Sequence, residues 1–180
     1  MEGRCTCGAI RYRIIQKPLF VHSCHCTWCQ RESGTAFALN ALIETEFVQL
    51  LAGAPEEVNT PSNSGKGQII VRCPTCHVAL WSHYAGAGRR LAFVRVGTLD
   101  DPSQCPPDIH IFAASKQSWL TLDGSTPIVP GYYDRAVHWP EASLQRRAAI
   151  GPRPVANPRK ATSHPARGAT FSLARPATLR

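Results

Sequence analysis

The sequence has no long apolar run and no basic, apolar leader at its start. No stretch approaches the roughly 20 consecutive apolar residues that a bilayer-spanning helix needs. The segment Met1 to Cys5 has no apolar region behind a basic one, so a secretory signal is not predicted. These absences argue against a membrane partner and favour a cytoplasmic protein, in which disulfides are uncommon.

Acidic residues are missing from the last 39 positions, and this accounts for the net charge of +8. Residues 1–141 carry 12 basic and 12 acidic side chains, whereas residues 142–180 carry 8 basic side chains and no acidic ones. The body of the chain is therefore electrically balanced. A basic nucleic-acid-binding domain is excluded for the body, although the tail has the charge for such a partner.

The C-terminal segment also has few large apolar residues. Beyond Ile150 it contains five prolines and six basic residues, and such a composition cannot bury enough surface to offset the entropy of ordering. We therefore predict one domain over residues 1–140 and a basic, proline-containing tail over residues 141–180. The tail is expected to be disordered after a short helix at 140–149, where a proline occupies the helix start.

The body shows little helical periodicity, and its short apolar or alternating runs predict a mainly β fold. Gly and Pro residues separate the runs, and Cys73-Pro74-Thr75-Cys76 predicts a tight turn between two strands. A short helix is expected at residues 27–32. The predicted strands cover residues 10–14, 35–43, 68–72, 78–84, 91–99 and 109–114, with a weaker candidate at 127–133.

Eight cysteines in a cytoplasmic chain of this length indicate metal or redox chemistry. Cys5 and Cys7 form one close pair, and Cys73 and Cys76 form a second pair that begins 66 positions after Cys7. Two such pairs supply the four thiolates that a structural Zn²⁺ takes. A disulfide between Cys5 and Cys7 would be strained, and a redox pair would leave the second doublet unexplained. We predict a closed zinc site.

A second set, Cys24, Cys26 and Cys29, places three sulfurs within six residues. Three protein ligands leave the fourth position of zinc open to water or substrate, as in catalytic sites. A thiol that enters this position is deprotonated at neutral pH, and the site then suits thiol activation.

Three other residues offer a closed alternative for this second site. His22, His25 or Cys105 would complete a second structural centre if its side chain reached the metal. Cys105 is equally consistent with a buried free thiol. Spacing alone does not decide between the open and the closed site.

The three cysteine motifs together resemble the glutathione-dependent formaldehyde-activating enzyme family, which includes centromere protein V. The resemblance extends over residues 3–123. It rests on Gly-Arg-Cys-Thr-Cys-Gly-Ala-Ile-Arg-Tyr at 3–12, Cys-His-Cys-Thr-Trp-Cys-Gln-Arg at 24–31 with Ser33 and Gly34, Arg-Cys-Pro-Thr-Cys at 72–76, and Pro-Asp-Ile-His-Ile-Phe at 107–112 with Ser115 and Trp119.

The resemblance implies a β-tent fold, in which a structural zinc staples antiparallel sheets together. It assigns that zinc to the first cysteine set and a second, glutathione-associated zinc to Cys24, Cys26 and Cys29. The implied activity is that of a carbon–sulfur lyase, an S-(hydroxymethyl)glutathione synthase-like enzyme. Such an enzyme adds glutathione reversibly to formaldehyde or a similar small aldehyde.

Other residues are candidates for supporting roles in that activity. Arg31 is placed to pair with a glutathione carboxylate, or else is a solvated charge. His25 or His110 is a candidate proton shuttle, although His110 also fits a structural role. His77 departs from the family pattern, because a glycine usually follows the second cysteine of this motif. A glycine there indicates a positive φ, which His adopts at a cost, and His77 either contacts the metal or is a neutral variation.

Two different functions are also compatible with the sequence. A non-enzymatic, zinc-stabilised binding protein would use the basic tail for nucleic acid or acidic partners. The tail lacks aromatic interleaving for base stacking, since Phe171 is its one aromatic residue after Ile150. Alternatively, both zinc sites stabilise the fold and neither is catalytic.

Overall fold

A computed structural model describes residues 1–151, which form ten strands, three short α-helices and several single-turn 3₁₀ helices. The predicted tail beyond residue 151 lies outside the described residues and stays a prediction. The strands are β1 (Glu2–Arg4), β2 (Arg11–Ile14), β3 (Phe20–Cys24), β4 (Ala38–Glu44), β5 (Val48–Ala52), β6 (Glu56–Thr60), β7 (Gln68–Arg72), β8 (Ala79–Tyr84), β9 (Leu91–Arg95) and β10 (Ile109–Ile111). The helices are α1 (Thr27–Ser33), α2 (Arg135–His138) and α3 (Glu141–Ala149).

The strands form two sheets. The small sheet has the order β1-β2-β5 and is antiparallel throughout. The large sheet has the order β10-β3-β4-β9-β8-β7-β6, and its neighbours are antiparallel except for the parallel pair β10 and β3. The mainly β prediction is confirmed, with this one parallel pairing as an addition.

The two faces of the large sheet have different neighbours, because successive side chains of a strand point to opposite faces. One face contributes Val21, Ala41 and Val94 to a core that also contains Ile10 and Tyr12 of the small sheet. Burial of these apolar side chains packs the two sheets together.

The opposite face of the large sheet carries polar side chains in register. His22 pairs with Asn40 across β3 and β4, and Asn40 pairs with Arg95 across β4 and β9. Cys24 lies two residues after His22 and therefore shares this face. The segment from Phe112 to Ile150 packs over part of it, through Tyr133 and Trp139.

The turn at Cys73–Cys76 and the predicted strands on either side of it are confirmed as β7 and β8. The 27–32 helix is confirmed as α1, which ends at Gly34 with φ 67°. Residues 127–133 form only one isolated bridge, His110 with Ile128, in place of the weaker predicted strand. The sequence pattern missed β1, β3, β5 and β6.

The predicted C-terminal helix is present as α3 and contacts the body of the protein. The Arg146 guanidinium forms an ion pair with Glu44, with Nε 3.0 Å from Oε1 and Nη2 2.5 Å from Oε2. It also donates to the Lys17 carbonyl at 2.8 Å. The domain boundary at residue 140 stays a prediction, but the helix that follows it is attached to the β body. No helix within residues 1–151 is long and apolar enough to cross a membrane.

Candidate metal centres

The four-cysteine cluster consists of Cys5, Cys7, Cys73 and Cys76, and it joins the two sheets. Its first pair lies in the turn between β1 and β2, and its second pair lies in the turn between β7 and β8. The four sulfur atoms all lie within 4.8 Å of one another. The tertiary fold therefore brings together two pairs that are far apart in sequence.

The spacing of these sulfurs fits a tetrahedral zinc ion. Cys5 Sγ is 3.5 Å from Cys7 Sγ, and Cys7 Sγ is 3.7 Å from Cys73 Sγ. A tetrahedron with Zn–S bonds of 2.3 Å has sulfur–sulfur edges of about 3.8 Å. The Ile10 amide also donates to Cys5 Sγ at 3.3 Å, which favours the thiolate form that a metal requires.

Both turns of this cluster contain a residue with positive φ directly after a cysteine. Gly8 follows Cys7 with φ 75°, and His77 follows Cys76 with φ 58°. The His77 side chain is 73% exposed, and its Nδ1 lies 3.7 Å from a Glu56 carboxylate oxygen. It does not join the sulfur cluster. The expected positive φ is present, and the His77 side chain lies outside the group of residues that could hold a metal.

The three-cysteine cluster consists of Cys24, Cys26 and Cys29, whose sulfurs also lie within 4.8 Å of one another. Cys24 ends β3, Cys26 is the N-cap of α1, and Cys29 lies in the first turn of that helix. All three are buried, with 6%, 9% and 8% of their surface exposed. The strand-to-helix junction thus aims three sulfurs at one point.

Hydrogen bonds favour a thiolate at Cys26. The Cys24 and Cys29 thiols hydrogen-bond to its sulfur and lower the pKa of Cys26. The Cys29 backbone amide donates to the same sulfur at 3.4 Å and acts in the same direction. The same hydrogen bonding raises the pKa of Cys24, so these contacts favour one thiolate in the cluster. Three sulfur donors fit the soft ligation that zinc accepts.

The three-cysteine cluster opens on a cavity of about 530 Å³. The floor of the cavity is the polar face of the large sheet, including His22, Asn40 and Arg95. Lys66, Arg135 and Arg147 also line it, and its one acidic lining residue among those described, Glu32, is paired with Arg72. The cavity is therefore electropositive and suits an anionic ligand.

Arg95 is held in place on the cavity floor. Its guanidinium donates to the Asn40 side-chain oxygen and to Ser82 Oγ, the second at 3.0 Å. The pKa of Cys29 is raised to about 11 overall, and hydrogen bonding to Cys24 and, to a smaller extent, the Arg95 charge oppose this rise. Sequence reasoning missed Asn40 and Arg95. The one available signal was that each is a polar residue within an otherwise apolar strand run.

Neither candidate histidine completes the three-cysteine cluster. His25 follows Cys24 directly and lies on the opposite face, where its Nε2 is 3.1 Å from His110 Nδ1 and 3.3 Å from Ser23 Oγ. His22 lines the cavity, but its Nε2 is 2.5 Å from the Tyr133 hydroxyl. Neither belongs to the sulfur cluster. Within the described residues, the cluster offers three side chains that could hold a metal ion.

The proposed shuttle role of His25 and His110 is not supported by their positions, because neither lines the cavity. Burial lowers the pKa of His25 to about 4, with a smaller contribution from His110. Cys105 is buried against Met1, with its Sγ 3.5 Å from the methionine sulfur, and belongs to neither cluster. Arg31 is exposed on α1 and does not line the cavity either.

These observations define a mainly β protein with two cysteine centres, one closed by four sulfurs and one with three sulfurs at a basic cavity. The family model of the glutathione-dependent formaldehyde-activating enzyme matches residues 1–115. The chain belongs to this family, and the resemblance drawn from its motifs is confirmed.

Two further comparisons give more distant similarities. A curated Halomonas elongata protein, provisionally named a glutathione-dependent formaldehyde-activating enzyme, is 23% identical over 148 residues, which cover 76% of this chain and 91% of that protein. A crystal structure of a Rhodobacter sphaeroides protein is 16% identical, with a TM-score of 0.45, and covers 72% of this chain and all of that one.

Proposed function

We propose that this chain is a zinc-dependent carbon–sulfur lyase that adds glutathione reversibly to formaldehyde or a similar small aldehyde. The observation that carries the proposal is the three-cysteine cluster at the wall of an electropositive cavity. Membership of the family supports the same activity. The four-cysteine cluster would hold a second zinc with a structural role, since four protein sulfurs leave no position for substrate.

The reaction needs a thiolate sulfur close to a carbonyl carbon. Zinc held by the three-cysteine cluster would supply the Lewis acidity that favours the thiolate form of glutathione at neutral pH. The carbon–sulfur bond forms as the carbonyl π bond breaks, and the oxygen accepts that electron pair and then a proton. The thiol proton leaves to solvent, so the product is S-hydroxymethylglutathione with no net change in redox state.

The cavity provides charge and a hydrogen-bond donor for this reaction. Arg95 lies on the cavity floor, where its fixed guanidinium offsets the negative charge that three cysteine thiolates and a substrate thiolate bring together. Tyr84 also lines the cavity. Burial raises the pKa of the Tyr84 hydroxyl, with a smaller effect from Cys29, so this hydroxyl stays protonated and can donate a hydrogen bond. We assign Tyr84 as a hydrogen-bond donor to the carbonyl oxygen, which takes its proton from solvent.

The proposal is tested by the rate at which glutathione and formaldehyde exchange with their adduct, measured by NMR exchange spectroscopy. Zinc-loaded wild-type protein should exceed the buffer rate, and Cys26→Ala should remove this excess together with one of two zinc ions counted by native mass spectrometry. Cys105→Ala is the matched control, because it removes a buried thiol outside both clusters.

Tyr84→Phe keeps every cysteine and should reduce the catalysed rate by about 100-fold, the lower end of the effect of losing one hydrogen-bond donor to a developing oxyanion. The lyase proposal fails if wild type, Cys26→Ala and Cys105→Ala all match buffer. The assignment of Tyr84 fails separately if Tyr84→Phe retains the wild-type rate with both zinc ions bound.

A further inference from the structure

Arg147 on α3 has a buried polar atom without a partner. Its Nε forms no hydrogen bond with any of residues 1–151, although it is shielded from solvent. Buried donors are nearly always paired, and leaving one unpaired costs about 1–3 kcal/mol, more when the group is charged. Because this Nε is closed to solvent, an anion in the cavity would contact the Arg147 guanidinium through its terminal nitrogens.

The surroundings of Arg147 are positively charged. Burial lowers its pKa, and the charges of Arg135 and Arg90 act in the same direction. Arg90 donates to the carbonyls of Ile150 and Gly151 at 2.6 and 2.8 Å, and the Arg135 guanidinium lies 6.0 Å from the centre of the Trp139 ring.

Nearby acidic side chains are already engaged elsewhere. Glu44 is paired with Arg146, the residue that precedes Arg147, and Glu141 accepts from Gln145 at 3.0 Å. Asp134, which precedes Arg135, is the N-cap of α2 and accepts from the Ala136 amide at 2.9 Å. The acidic residue that lines the cavity, Glu32, is paired with Arg72. An anion from outside would therefore relieve the repulsion between the arginines.

Arg147 and Arg135 line the same cavity as the three-cysteine cluster. A ligand with a thiol at one end and an anionic group at the other can therefore reach both features from within one cavity. The guanidinium fork matches a carboxylate in two-point geometry. Both arginines lie beyond residue 115, where the match to the family model ends.

We propose that Arg147 and Arg135 form the subsite that binds a carboxylate of the glutathione substrate in this cavity. The proposal rests on the proposed function, because it assigns a substrate contact in the same site. It places the carboxylate contact on the C-terminal helices and not on Arg31. A thiol without a carboxylate, such as cysteamine, would lack this contact.

The test measures binding of S-methylglutathione, which keeps both carboxylates and has no free thiol, to the zinc-loaded full chain by calorimetry. Arg147→Gln should weaken this binding about 10-fold or more, the range of a lost charge-assisted hydrogen bond. The diethyl ester of S-methylglutathione should bind wild type and Arg147→Gln equally. Arg147→Lys should recover part of the affinity, because it restores the charge without the fork.

Arg13→Gln is the matched control, because Arg13 is paired with Glu2 on the small sheet and does not line the cavity. It should leave the affinity for S-methylglutathione unchanged. Each variant is first shown by native mass spectrometry to hold two zinc ions.

The subsite is refuted if wild type does not bind S-methylglutathione or if Arg147→Gln binds it as tightly as wild type. It is also refuted if Arg147→Gln weakens binding of the diethyl ester as much as binding of S-methylglutathione itself. These results are distinct from failure of the lyase proposal. A wild-type protein that binds S-methylglutathione through Arg147 but does not accelerate exchange overturns the lyase proposal alone. Normal acceleration with an unaffected Arg147→Gln overturns the subsite alone.

Discussion

The two turns of the four-cysteine cluster adopt the same backbone conformation with different residues. Each turn needs a left-handed backbone directly after its second cysteine, at Gly8 and at His77. Glycine adopts this conformation without steric cost, whereas a residue with a Cβ atom pays about 1–2 kcal/mol. His77 gains little in return, because its side chain is largely exposed and 3.7 Å from Glu56.

We expect His77→Gly to raise the free energy of unfolding by about 0.5–1 kcal/mol. Loss of the backbone strain stabilises the folded state, and the greater chain entropy of glycine in the unfolded state offsets part of this gain. Zinc content should be unchanged. Gly8→Ala is the converse variant and should destabilise by about 1 kcal/mol through strain alone, since nothing lies within 4 Å of the added Cβ. Urea unfolding of the zinc-loaded proteins measures both. A loss of zinc from His77→Gly would instead show that His77 supports the metal.

Strand β3 shows how one element separates the chemistry of neighbouring residues. Its alternation sends His22 and Cys24 to the cavity face and sends Ser23, with His25 just beyond the strand, to the other face. The strand is buried along its whole length, so the sequence shows no apolar alternation there. This explains why the strand was missed and why His25 remained a candidate ligand until the faces were known.

Helix α3 is attached to the β body by several contacts, and one of them is a buried ion pair. Glu44 is almost fully buried and is bound by the Arg146 guanidinium, so removing the arginine leaves a buried charge unpaired. We expect Arg146→Gln to lower the free energy of unfolding by about 2–4 kcal/mol. Gln145→Ala, on the exposed side of the same helix, should change it by less than about 0.5 kcal/mol. Chemical denaturation compares the two, and equal effects would contradict the anchoring role of Arg146.

At the scale of the molecule, the two cysteine clusters occupy different structural positions. The four-cysteine cluster links turns from both sheets, whereas the three-cysteine cluster is local to the end of β3 and the start of α1. A metal that joins distant segments contributes to folding directly. A metal bound within one short segment is expected to contribute less.

We therefore expect Cys73→Ser and Cys29→Ser each to lose one zinc ion but to differ in stability. Cys73→Ser should lower the free energy of unfolding by several kcal/mol and increase hydrogen exchange in β1 and β2, because the staple between the sheets is lost. Cys29→Ser should leave exchange in these strands near the wild-type level. Hydrogen-exchange mass spectrometry distinguishes the two, and equal exchange in β1 and β2 would contradict the staple.

The net charge has a different meaning once the cavity is known. Residues 1–141 are neutral overall, yet three of their cationic side chains, Lys66, Arg95 and Arg135, line the cavity. The following segment adds Arg147 to the same cavity from α3. The excess of basic residues after position 141 is therefore not confined to the predicted tail beyond residue 151, because α3 carries one of these residues, Arg147, to the cavity.

The amino-acid sequence by itself determined the two cysteine groups, the mainly β class and the family. Cysteines two or three residues apart define a metal-binding pair locally, and the turn residues around Cys73 and Cys76 predict the strands beside them. These patterns lie within short stretches of chain, so they can be recognised without knowledge of the fold.

Only the tertiary structure decided which side chains surround each metal centre. His25 is adjacent to Cys24 in sequence, but its side chain lies on the face of the sheet opposite the cavity. Arg147 is more than a hundred residues from the three-cysteine cluster in sequence, yet it lines the same cavity. Strand register and the packing of α3 set these positions, and a one-residue change of register would reverse them. For this reason Arg31 was a reasonable candidate from the sequence, while Arg95 and Arg147 became visible only in the folded chain.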